Sequence, residues 1–167
     1  APDAGNVEIL HRYATDEQRE RFLRPLVEGK IRSCFSMTEP EMPGSNPVMM
    51  GTRAVKDGDD YVINGQKIWT SGAHLSDWIF MLARTDPEAP KHRGVSMFLI
   101  DMKTPGVSIS PLIQMTGVHG FNQTFFEDVR VPASMRVGEE NAGWQIITNQ
   151  LNHERVTLCS SGIVERS

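Results

Sequence analysis

Ser33-Cys34-Phe35-Ser36-Met37-Thr38-Glu39-Pro40-Glu41-Met42-Pro43-Gly44-Ser45-Asn46 is the stretch on which the fold turns. A short apolar run of strand formers stops in hydroxyls, a carboxylate, two prolines and a glycine. That ending puts the Thr38 and Ser45 hydroxyls, with the free N–H groups around Gly44, at the mouth of a packed element. Backbone amides in such a turn form a small concavity suited to phosphate or carbonyl oxygens. The same residues also read as a plain strand followed by a proline turn. Taken alone, the stretch leaves both readings open.

Two further stretches repeat the design. Gly65-Gln66-Lys67-Ile68-Trp69-Thr70-Ser71-Gly72-Ala73 is a strand, a large aromatic, then hydroxyls and glycine. Thr124-Phe125-Phe126-Glu127-Asp128-Val129-Arg130-Val131-Pro132 closes a segment of the same kind. Between and around them run other short strands: Gly51–Lys56, Tyr61–Asn64, Trp78–Arg84, Val95–Asp101 and Val107–Leu112. Asp57-Gly58 and Asn64-Gly65 are hairpin turn signals, and Pro105-Gly106 is a break. Many short strands with turns every 8–12 residues predict a sandwich or barrel.

Helices flank this series. Val7 to Tyr13 has the spacing of a short helix, and Thr15-Asp16-Glu17-Gln18 matches a capping box that opens a second. The second is expected to run to about Val27, kink before Pro25 and end at Gly29. At the other end, Trp144, Ile147, Leu151, Arg155 and Leu158 recur at helix spacing, with Glu154 near the edge of the apolar stripe. On periodicity alone, Glu154 reads as a surface carboxylate beside a packed helix.

Composition narrows the classes. At 167 residues the chain has the size of one domain. A net charge of −4 gives no reason to expect nucleic acid or an anionic membrane as partner. No apolar run approaches the ~20 residues that span a bilayer. Cys34 and Cys159 form no C-x-x-C pair, and the five histidines show no metal spacing, so no metal site is expected. Each histidine reads as structural or exposed, with a place at the mouth of a pocket open to His74 or His119 on their neighbouring glycines alone. A Gly-x-Ser-x-Gly elbow and a Gly-x-Gly-x-x-Gly fingerprint are both missing, which excludes the hydrolase elbow and the Rossmann way of holding a dinucleotide.

The three motifs in order, together with Asn152-His153-Glu154-Arg155, resemble the middle domain of the acyl-CoA dehydrogenases, flavoenzymes that desaturate acyl-CoA thioesters. The resemblance covers nearly the whole chain. It implies a mainly β fold, a small antiparallel β-barrel with flanking helices. The chain divides into the end of an amino-terminal helical domain (1–30), the β-domain (31–137) and the start of a carboxy-terminal helical domain (138–167). It further implies that the chain is a fragment, with most of both helical domains missing.

The site residues follow by matching the motifs. The resemblance gives Phe35, Met37, Thr38, Gly44 and Ser45 to FAD, with Ser45 also facing the acyl-CoA. Trp69 matches the aromatic that lies against the flavin, and Ser71 a hydroxyl residue that hydrogen-bonds near the ring. The loop Glu41 to Asn46 is one residue longer than the usual family run and has Asn where Asp is usual, so the partner of Ser45 stays open. In most of the family the catalytic Glu lies in the carboxy-terminal domain. In the isovaleryl-CoA dehydrogenase type it stands just before an Arg on the first helix of that domain. Glu154 occupies that position and is the candidate base, with Arg155 beside it for substrate.

The resemblance also implies an electron-transfer flavoprotein as acceptor and assembly of the full-length protein into homo- or hetero-oligomers (dimers or tetramers), while the widely separated Cys34 and Cys159 make reduced thiols in a bacterial cytoplasm or mitochondrial matrix the expectation. It implies weak FAD binding by this chain alone, because a neighbouring subunit's carboxy-terminal domain holds the adenine end. Alternatives on the same scaffold are an acyl-CoA oxidase or a non-catalytic flavin- or CoA-binding relative. A plain β-barrel interaction module would bind no flavin at all.

Overall fold

The computed structural model describes residues 2–42, 47–90 and 92–158, and for Pro2, Pro47 and residues 153–158 the backbone alone. Helix α1 (Pro2–Tyr13) leads into α2 (Asp16–Gln18), a π-helical segment (Arg19–Leu23) and α3 (Arg24–Val27). The expected capping box is present: Gln18 N–H donates to Thr15 Oγ1 at 3.2 Å, and Thr15 N–H to Gln18 Oε1 at 3.1 Å. The expected kink before Pro25 takes the form of the π segment, whose wider turn accommodates a ring that cannot donate a hydrogen bond.

Eight strands follow: β1 (Ser33–Ser36), β2 (Arg53–Asp57), β3 (Asp60–Ser71), β4 (Trp78–Arg84), β5 (Val95–Asp101), β6 (Val107–Ile113), β7 (His119–Pro132) and β8 (Arg136–Val137). Helix α4 (Gly143–Leu158) closes the described chain. The strand order is β6-β7-β3-β2-β4-β5-β8, with β1 beside β4. Strands β4 and β5 are buried along almost their whole length, which explains their continuous apolar runs. Around them Tyr61, Ile63, Phe126, Val129 and Val131 complete one core.

The mainly β architecture with flanking helices matches the sequence, and two details differ. The sheet is open, not a closed barrel, because β2 and β4 meet at a single pair, Arg53 with Arg84, and β6 and β8 lie at its two ends. Its edges are blunted: β6 carries Ser108, Ser110 and Pro111, and β8 has two residues. The sheet is also not purely antiparallel, since β1 and β2 each run parallel to β4. Asn64-Gly65 makes no turn; β3 runs straight through it.

Helix α1 is pinned to β1 by buried polar contacts. Asn6 Nδ2 donates to Ser33 Oγ at 2.8 Å and to the Cys34 carbonyl at 3.2 Å. Ser33 in turn donates its N–H and hydroxyl to Asp3 Oδ1, at 2.8 and 2.7 Å. The strand that opens the candidate site is therefore held from its first residue.

Candidate functional site

The site is built where the end of β1 meets the far half of β3. Strand β3 pairs with β7 as Lys67 with Thr124, then Thr70 with Asn122. Two residues of β3, Ile68 and Trp69, thus face one of β7, which is a β-bulge. The bulge turns the Ile68 N–H away from β7, and it donates to the Thr38 carbonyl at 2.8 Å. One step on, the Ser36 and Thr70 hydroxyls share a hydrogen bond of 2.9 Å. Segment 36–38 is thereby laid along residues 68–70.

Trp69 takes the other consequence of the bulge. Its φ is +62°, in the left-handed region that side-chain-bearing residues rarely enter. The residue is 58% exposed, and its indole makes an edge contact to Phe121 with ring centres 6.2 Å apart. A large aromatic presented outward on strained backbone is the arrangement expected of a ligand platform.

Of the residues expected here, Phe35, Met37, Thr38 and Ser71 are half-buried and lie in the same neighbourhood as Trp69. The hydroxyls of Thr38 and Ser71 have no hydrogen-bond partner among the described residues. Gly44 and Ser45 lie outside the described residues. Glu154 and Arg155 lie on α4, and their side chains are likewise outside the described part. Cys34 is buried behind the site, and burial pushes its thiol up to about 12, so it stays protonated. Among the described residues no group of side chains could hold a metal ion.

Two features escaped the sequence. The first is an ion pair in the interior: Lys67 is fully buried, and its Nζ donates to Glu39 Oε1 at 2.9 Å and to the Met37 carbonyl at 3.1 Å. Glu39 also accepts the Gly51 N–H at 2.6 Å and the Thr52 N–H at 2.9 Å. Burial draws the Lys67 ammonium down to about 8, against the pull of Glu39. Burial works to raise the Glu39 carboxyl, but the Lys67 charge and the hydrogen bonds from Lys67, Thr52 and Gly51 outweigh it and leave it below the ordinary 4.5. Both groups are therefore charged at pH 7. A signal for Lys67 existed: it shares strand parity with the inward Tyr61 and Ile63.

The second is a pair of stacked imidazoles, His74 and His119, with ring centres 3.9 Å apart. Asn122 bridges them. Its Nδ2 donates to the Thr70 carbonyl and to His74 Nδ1, both at 3.1 Å, and its Oδ1 faces His119 Nε2 at 2.8 Å. A carbonyl only accepts, so the Thr70 bond orients the amide, leaves His74 Nδ1 bare and puts a proton on His119 Nε2. His74 follows Ser71 by three residues, and His119 lies two before Phe121, the β7 partner of Ser71. A separate groove of about 200 Å³, lined by Arg21, Trp78, Leu99, Arg130 and Met135 among others, contains none of the expected site residues.

Comparison with known proteins places this geometry. Residues 34–129 match the family model for the acyl-CoA dehydrogenase middle domain. Over 92% of its length the chain is 45% identical to acyl-CoA dehydrogenase FadE29 of Mycobacterium tuberculosis, covering 39% of that protein. It superposes on the Tcur3481-Tcur3483 steroid ACAD with a TM-score of 0.87 at 43% identity, over 92% of this chain and 40% of that one. The ChsE4-ChsE5 complex from Mycobacterium tuberculosis gives a TM-score of 0.80 at 41% identity, over 89% of this chain and 38% of that one. The chain thus spans about two-fifths of the length of the proteins it matches.

Proposed function

The chain belongs to the acyl-CoA dehydrogenase family, and from that membership we propose that the full-length protein desaturates an acyl-CoA thioester between its α and β carbons, using FAD. Residues 31–137 form its middle β-domain, 1–30 the end of one helical domain and 138–167 the start of another. The match over residues 34–129 supports these limits.

The residues present fit a flavin. The observation that carries the proposal is the β3 bulge, which brings the exposed Trp69 into the same neighbourhood as Thr38 and Ser71, whose hydroxyls have no partner among the described residues. Thr38 and Ser71 bond the ring, Trp69 lies against it, and Phe35, Met37, Gly44 and Ser45 complete the hold, with Ser45 also facing the thioester. When bound, FAD supplies the acceptor for the hydride that leaves the β carbon. Glu154 takes the α proton, a task suited to a carboxylate whose pKa is raised by water-poor surroundings. Arg155 binds substrate beside it.

Electrons leave to an electron-transfer flavoprotein, and the full-length protein assembles with copies of itself or with a second chain, as the paired names of two structural relatives suggest. No helix among the described residues is long and apolar enough to cross a membrane. We place the protein in a bacterial cytoplasm or a mitochondrial matrix.

The test is an FAD titration of this chain and of the full-length protein, followed by flavin fluorescence and then by addition of acyl-CoA thioesters. The steroid ACAD among the relatives puts a steroid side-chain thioester first in that panel, beside straight and branched chains. Binding by the full-length protein, with bleaching of the flavin band by one thioester, supports the proposal. No binding by either form overturns it.

A further inference from the structure

We propose that the buried Lys67–Glu39 pair is a positioning device for the flavin site, which fixes the backbone on either side of Thr38 so that its hydroxyl is presented to the ring. The inference rests on the flavin reading above, and it adds residues that touch no ligand. Lys67 holds the carbonyl of Met37 and the carboxylate of Glu39, the two neighbours of Thr38. The Thr38 carbonyl is itself taken by the Ile68 N–H. Glu39 carries the restraint further, to the N–H groups of Gly51 and Thr52 that lead into β2. The residue at the centre of this clamp keeps two polar groups without a partner among the described residues, its N–H and its hydroxyl.

Stability alone does not account for the pair. An ion pair this deep loses in desolvation much of what it gains in attraction, and apolar side chains in place of both partners are often as stable or more so. What an apolar replacement cannot do is grip a carbonyl at residue 37 and a carboxylate at residue 39 together. Lys67 is the last residue of β3 before the bulge, and the next residue, Ile68, ties the bulge to Thr38.

The experiment uses the full-length protein as wild type, Lys67→Met/Glu39→Gln, Thr38→Val and the combination. Three quantities are read: the urea midpoint, the FAD dissociation constant by fluorescence titration, and amide exchange of Ile68 relative to Ile63 in the cofactor-free protein. The pair variant is expected to stay folded, to weaken FAD at least tenfold and to speed Ile68 exchange at least tenfold with Ile63 unchanged. Thr38→Val is expected to weaken FAD, and adding it to the pair variant to cost little more, because residues acting through one group are not additive. Unchanged Ile68 exchange overturns the positioning role whether or not FAD binds. Unchanged FAD affinity in the pair variant, or full additivity with Thr38→Val, overturns its link to the ligand. A wild type that exchanges as expected and binds no FAD overturns the flavin reading, and with it the ligand half of this inference, while leaving the clamp in place.

Discussion

Trp69 holds a backbone conformation that costs an L-residue about 1–2 kcal/mol. Its surroundings impose it: Ile68 is tied to Thr38, Thr70 to Ser36, and the Thr70 carbonyl to Asn122. The indole recovers little by burial, and its edge contact with Phe121 is worth about 0.5–1.5 kcal/mol. Trp69→Gly removes the contact and the strain together, so the two effects nearly cancel. Urea unfolding is expected to show a change within about 1 kcal/mol, while the FAD affinity of the full-length protein falls. A stability loss well beyond that range would mean that the indole props up the bulge. The sequence singled out Trp69 by its type and neighbours, but its left-handed backbone was not legible. Alternation treats residue 69 as an ordinary strand position, and only the count against β7 shows the extra residue.

Strand β3 carries the site, and it is shaped by two irregularities. Besides the bulge at Ile68 and Trp69, a second lies at Asn64-Gly65, where β7 contributes the additional residue. There Asn64 Nδ2 donates to Asp128 Oδ1 at 2.9 Å, and the Asp128 N–H donates to Asn64 Oδ1 at 2.8 Å. Ile63 and Gly65 on either side of Asn64 stay paired with Val129 and Phe126 of β7, so a strong turn signal yields a through-running strand. Gly65 has φ +147°, and a Cβ on it would stand 2.6 Å from Thr52 Cα. Gly65→Ala therefore meets backbone that cannot swing aside, and it is expected to cost about 3 kcal/mol from overpacking and strain combined. Urea denaturation measures this directly; a cost under about 1 kcal/mol would show that β2 and β3 slide apart freely.

For the whole molecule, the interior charges make stability depend on pH. The folded Glu39 carboxyl sits below its ordinary 4.5. Its contribution is therefore complete above pH 4.5 and is lost as pH falls through the folded value, because the unfolded chain takes up the proton first. Urea midpoints of wild type and Glu39→Gln should differ most near pH 7 and converge toward pH 3. A gap that stays constant over that range would mean that Glu39 is held by shape and not by charge.

The strand series, the capping box at Thr15, the helical ends and the order of the three motifs were all determined by the sequence itself. Each is a property of near neighbours: alternation decides a strand, and a hydroxyl three residues before a glutamine decides a cap. Thr38, Trp69 and Ser71 are legible through the family resemblance of the motifs that carry them. Tertiary structure alone decided the open sheet, the parallel partners of β4, the left-handed Trp69 and the pairing of Lys67 with a carboxylate 28 residues away. Those depend on register between distant strands, and a single residue of slip there changes which side chain is buried and which faces a ligand.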